Sequence, residues 1–286
     1  VNVLRTPDSR FEGLPDWPYE PRYTEVDGLR LARVDEGSGS PVVLLHGEPT
    51  WSFLYRGVIP SLVSAGLRVV APDHPGFGRS DKPSDVSWYS YARHLDLLGR
   101  HLATLDLRDV TLVVQDWGGP LGLRWAMLNA SLLRRIVILN TGLFSGHESS
   151  AGLEAWLAYA RAQTDLDVGT LIDRACGGLA PEVVRGYDAP FPSVEHKAGA
   201  LAFPRLVPTR MEDPGAAEQY DARQWLDTWD GPVTVAFSDA DPIFPKQVGE
   251  SWARRLRHAS FALIEGAGHF VQEMRPDAVA AAVLDF

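Results

Sequence analysis

The chain has 286 residues, 45 % of them apolar, enough to bury one large core and too apolar for a disordered protein. Its formal net charge of −10 disfavours nucleic acid and anionic membrane as partners, since both need clustered Lys and Arg. Cys176 is the sole cysteine, which leaves no intrachain disulfide and no cysteine-based metal site; with no signal-peptide shape at the start and no apolar run of membrane-spanning length, the expectation is a cytoplasmic protein.

In chain order, two β-branched runs, 23–26 and 29–34, flank Asp27-Gly28 and predict a hairpin. A buried strand over 42–45 leads into His46-Gly47-Glu48-Pro49-Thr50-Trp51. A loop at this place can give one backbone N–H to an oxyanion hole, here that of Glu48. The Glu48 carboxylate either orients a water or forms a loop salt bridge, and His46 reads as a structural hydrogen-bonding residue. A strand over 67–71 ends in Asp73-His74-Pro75-Gly76, where His74 shapes a turn. A helix over 91–105 follows.

The run 110–114 predicts a buried strand, and Gly118-Gly119 opens a helix over 121–129. A strand that turns sharply into a helix and presents one reactive side chain is a nucleophile elbow. Here Asp116 stands where serine hydrolases carry Ser, and no Gly-x-Ser-x-Gly occurs in the chain. A carboxylate needs no base to attack and can displace a leaving group from an sp3 carbon. Its neighbour Trp117 supplies a second oxyanion donor through its backbone N–H. The Trp117 indole N–H, a donor without basicity, suits an anion that is held and then released.

After a strand over 136–139, the strand–helix alternation lapses until about residue 229. This stretch is rich in Ala, Leu and Pro, with helical pieces at 153–162 and 168–176, and predicts a helical cap, assigned to 143–214. The main domain then comprises 1–142 and 215–286. A strand over 233–237 leads to Ser238-Asp239-Ala240-Asp241-Pro242. Either aspartate could hold a catalytic histidine in one tautomer; Asp241 is chosen and Asp239 is read as a turn residue. A helix over 246–257 and a strand over 261–264 precede Gly266-Ala267-Gly268-His269-Phe270, and His269 is the candidate base. His94, His101, His147, His196 and His258 read as surface or packing residues, as do Trp125, Trp225, Trp229 and Trp252. The alternation as a whole predicts an α/β fold, a mostly parallel sheet flanked by helices, with ligands at the carboxyl ends of the strands.

Several motifs together carry a family likeness: His46-Gly47-Glu48-Pro49-Thr50-Trp51, Gly76-Phe77-Gly78-Arg79-Ser80-Asp81-Lys82-Pro83, Gln115-Asp116-Trp117-Gly118, Tyr187-Asp188-Ala189-Pro190-Phe191-Pro192 and Gly268-His269-Phe270-Val271-Gln272-Glu273. On these the chain resembles the haloalkane dehalogenases, within the α/β-hydrolase fold, over nearly its whole length. Glu48 is similar to the branch that uses two tryptophans for the halide and an Asp-His-Asp set. That resemblance implies Trp156 as the second halide donor and an apolar wall of Phe203, Pro204 and Val207. Pro120 and Leu153 stand where relatives often have aromatics.

The resemblance implies a two-step hydrolysis. Asp116 displaces halide to form an alkyl ester, and water activated by His269 cleaves it. The implied partners are a small halogenated alkane, water and halide, with no metal or organic cofactor and a monomer or weak homo-oligomer. The rivals are an epoxide hydrolase, with Tyr159 or Tyr187 as ring-oxygen acid, and a non-catalytic ligand-binding receptor on the same scaffold.

Overall fold

The computed structural model describes residues 1–143 and 149–285; His147 lies outside the described residues. Its main sheet has eight strands: β1 Arg22–Val26, β2 Leu29–Glu36, β3 Pro41–Leu45, β4 Arg68–Pro72, β5 Val110–Gln115, β6 Leu133–Leu139, β7 Val233–Ser238 and β8 Ala259–Ile264. They run in the order β8-β7-β6-β5-β3-β4-β2-β1. The six strands from β8 to β4 pair in parallel, while β1 and β2 add an antiparallel hairpin at one edge. Asp27 and Gly28 both take positive φ, as the tight turn between β1 and β2 requires.

The central strands are apolar on both faces, and Val43, Leu44, Val113 and Val137 are wholly buried. Such strands need helices on either side. These are α1 Ile59–Ser64, α2 Tyr91–Ala103, α3 Gly118–Leu128, α4 Ala151–Ala162, α5 Val168–Ala175, α6 Pro181–Asp188, α7 Ala198–Leu206, α8 Ala216–Thr228, α9 Lys246–Arg255, α10 Val271–Met274 and α11 Pro276–Leu284. Side chains cap three of them: Ser90 at α2, Ser150 at α4 and Asp167 at α5. None of the helices among the described residues is long and apolar enough to cross a membrane.

Helices α4 to α7 are inserted between β6 and α8; α4 packs on α7 and α5 on α6. Helix α8 packs instead on α3, beside the sheet. The strand order reverses between β3 and β5, which opens a crevice at their carboxyl ends. Glu48, Asp116, Asn140, Asp241 and His269 follow the carboxyl ends of β3, β5, β6, β7 and β8 respectively. Residues far apart in sequence thus meet on one rim of the sheet.

Candidate active site

Asp116 has φ of 47°, a left-handed conformation that costs a non-glycine residue about 1–3 kcal/mol. The surroundings hold it there. Its N–H donates to Asn140 O at 3.1 Å, and its own carbonyl accepts from Gly119 N at 2.8 Å and from Thr141 Oγ1 at 2.6 Å. The side chain emerges at the tip of the bend, with 15 % of its surface exposed. On one side Oδ1 accepts the Glu48 N–H at 2.8 Å. Gly47 makes this approach possible, since a Cβ there would lie 2.2 Å from Asp116 Oδ1.

On the other side His269 Nε2 stands 3.6 Å from Asp116 Oδ2. The opposite ring nitrogen, Nδ1, is 2.9 Å from Asp241 Oδ2. Asp241 also accepts the Ile243 N–H at 2.7 Å through Oδ1, so its carboxylate is oriented from both ends. Burial works against a charge on His269, but Asp241 and Asp116 outweigh it and push the imidazole up to about 10. Asp239 does something else: Oδ1 accepts the N–H groups of Gly266 and Ala267 and ties down the turn before His269.

Glu48 is buried, and burial together with the Asp116 charge raises its carboxyl well above the usual carboxylate range. A carboxyl shifted this way takes up a proton more readily than a free one, and once protonated it can donate as well as accept. Its Oε1 has no protein hydrogen-bond partner among the described residues. That oxygen is therefore available to a water.

Trp117 and Trp156 line one cavity with Asp116, Pro120, Leu153, Val207, Ile243 and Phe244. Trp117 is held from behind by Phe203, ring edge to ring face with centroids 4.9 Å apart. Of the expected apolar wall, Val207 lines the cavity, Phe203 backs Trp117, and Pro204 sits within α7 with its carbonyl taking Arg161 Nε at 3.1 Å. Pro120 and Leu153, noted in the sequence as departures, both face the cavity. Phe244 also stacks on the His269 ring at 5.9 Å.

Sequence reasoning assigned no role to Asn140 or Gln115. Asn140 Nδ2 donates to Ser238 Oγ at 2.7 Å and Gly268 O at 3.0 Å, and its Oδ1 accepts the Ser238 N–H. It clamps the ends of β6 and β7 to the His269 loop. Gln115, wholly buried, has its amide nitrogen 3.3 Å from His269 Nε2. A glutamine closing a wholly buried strand was the available signal for it.

The remaining motif residues brace this rim. His74 N–H donates to His46 Nε2 at 3.1 Å, so His46 is a neutral ring with its proton on Nδ1, facing Gly47 O at 2.9 Å. Asp73 accepts the N–H groups of Ser52 and Arg79, joining the Glu48 loop to the 76–80 turn. Lys82, fully buried, donates to Gly78 O and Ser80 O, and burial pushes it down to about 7.

Residues 40–172 match the family model for the alpha/beta hydrolase fold. The haloalkane dehalogenase of Mycolicibacterium paratuberculosis is 42 % identical over all of this chain and 98 % of its own length. That of Psychrobacter cryohalolentis is 39 % identical over the same shares. Among solved structures, the tetrameric haloalkane dehalogenase of Paraglaciecola agarilytica superposes with a TM-score of 0.95 at 35 % identity, covering all of this chain and 99 % of the other. Matched from end to end by these relatives at 35–42 % identity, the chain belongs to the haloalkane dehalogenase family.

Proposed function

We propose that the chain hydrolyses haloalkanes to an alcohol and a halide through an ester on Asp116, with residues 143–214 acting as the cap that closes the cavity. The observation that carries this reading is the division of labour on the Asp116 carboxylate. Oδ1 is held by the Glu48 N–H, while Oδ2 is the oxygen turned toward His269. Oδ2 attacks the halogen-bearing carbon in line, the carbon–halogen bond breaks, and the halide departs with the bonding pair toward the indoles of Trp117 and Trp156. Hydrogen bonds to a charged partner contribute about 1.5–3 kcal/mol each, and here they strengthen as the halide gains charge.

The second step reverses the roles. Water gives a proton to His269 Nε2 and attacks the ester carbon. The developing oxyanion is Oδ1, already placed on the Glu48 N–H, with the Trp117 N–H as second donor. Asp241 stabilises the imidazolium. The Glu48 carboxyl orients the water. Collapse releases the alcohol and restores the carboxylate.

The epoxide reading needs an acidic phenol in the cavity. Tyr187 is wholly buried with its hydroxyl on Glu273, and Tyr159, half exposed, lines a different recess with Trp156. We take the chain as a monomer or weak homo-oligomer, which sedimentation reads directly. The function is tested by halide release from a panel of brominated alkanes, run beside a panel of epoxides. Bromide with the matching alcohol is expected; diol from epoxides without bromide release from the alkanes would overturn the reading.

A further inference from the structure

Two loops must stay in register for ester hydrolysis, the one that carries the Glu48 N–H and the one that carries His269. A buried ion pair joins the segments that follow them. Arg56 comes directly after the short helix Ser52–Tyr55, and Glu273 lies in α10, just past His269. Arg56 Nη1 meets Glu273 Oε2 at 2.5 Å and Nη2 meets Oε1 at 2.6 Å. Less than a tenth of either side chain is exposed. A two-pronged contact of this kind fixes orientation as well as distance.

The third member comes from the cap. Tyr187, in α6 and wholly buried, donates its hydroxyl hydrogen to Glu273 Oε2. The same stretch of α6 is pressed onto the Glu48 side. Trp51 Nε1 donates to Gly186 O at 3.0 Å, and Phe53 meets Tyr187 edge to face at 5.3 Å. A Cβ at Gly186 would lie 2.5 Å from the Phe53 ring, so only glycine allows this seat. A carboxylate taken out of water needs its charge and its remaining lone pairs met; Arg56 and Tyr187 meet them together. None of these contacts involves Asp116, Trp117 or Trp156.

We propose that Tyr187 is a positioning residue for ester hydrolysis: through Glu273 and Arg56 its hydroxyl holds the His269 turn and the Glu48 loop in register while α6 is seated. The inference rests on the two-step reading above. It bears on the second step because that step draws on both loops at once. The first needs only Asp116, whose backbone is pinned separately by Asn140, Thr141 and Gly119, and meets the Glu48 loop at the single N–H on Oδ1.

Tyr187→Phe removes the hydroxyl and keeps the ring. Rapid-quench single turnovers with a brominated alkane separate bromide release from ester decay, and intact mass follows the ester. The expected result is bromide release within about twofold of the parent and ester decay slowed roughly tenfold, with the pH profile of decay displaced. Equal slowing of both steps, no change in either, or a lower melting temperature with an unchanged ratio of the two would overturn the proposal. A parent chain that releases no bromide overturns the dehalogenase reading itself. A parent that turns over, beside a variant with the same ratio of steps, overturns only the role of Tyr187.

Discussion

His269 Nε2 faces Asp116 Oδ2 at 3.6 Å, so on the proposed mechanism the nucleophile helps to keep the proton on the ring that later acts as a base. With Asp241 on the other nitrogen, the imidazole titrates near 10 before reaction. Esterification removes the Asp116 charge and leaves Asp241 as the one carboxylate in contact with the ring. The proton is then held less firmly and passes to solvent, which leaves Nε2 free to accept one from the attacking water. The first step therefore prepares the base for the second.

Replacing His269 by Phe should leave ester formation in place and slow its hydrolysis by roughly 10²–10⁴-fold, the usual share of a general base. Intact mass after exposure to a reactive bromoalkane should rise by one alkyl group and stay there. An unmodified mass counts against Asp116 as the attacking group.

The same pair predicts how stability varies with pH. The folded-state value of His269, about 10, lies above its ordinary 6.5. Its stabilising contribution is then complete below about pH 6.5 and is lost as pH rises through about 10. Urea midpoints of the parent and of His269→Gln, taken from about pH 6 to about pH 11, should converge over the upper part of that range. A gap that stays constant with pH is the contrary outcome.

Trp117→Phe and Trp156→Phe each remove one N–H and keep an aromatic ring. Each should weaken halide binding by about 1.5–3 kcal/mol, roughly ten- to a hundredfold, and slow ester formation. Halide quenching of the remaining tryptophan fluorescence measures the first and rapid-quench bromide release the second. A Trp156→Phe protein that binds halide as tightly as the parent would remove Trp156 from the pair.

Gly47→Ala places a methyl group against the Asp116 carboxylate, where a Cβ has 2.2 Å of room. The nucleophile or the loop must shift. A displacement on the order of 1 Å costs about a hundredfold in rate, so ester formation should fall by at least that factor. Rapid-quench kinetics on a folded variant, checked by thermal melting, gives the answer.

The sheet was legible because its strands are short β-branched runs with glycine or aspartate at their ends. The elbow was legible because Asp116 and then Gly118 and Gly119 follow the buried run 110–114. Helix α6 is short and proline-started, α7 contains a proline and α8 is largely polar, and none of the three was placed individually from sequence, although their stretch was read as helical. The roles of Asn140 and Gln115 depend on hydrogen bonds to a loop well over a hundred residues away. The Arg56–Glu273 pair spans 217 residues, a separation that no local pattern encodes. Phe203 was expected in the apolar wall, and its position behind Trp117 is a matter of packing.

The bent backbone at Asp116 has one further consequence. A small haloalkane offers its host few handles: no charge, no hydrogen-bonding group and little surface. Such a guest has scant binding energy to lend to distorting anything. Here the distortion is already built in during folding, when the whole core stands behind it, so on the proposed mechanism the attacking oxygen meets even a meagre visitor in its working pose.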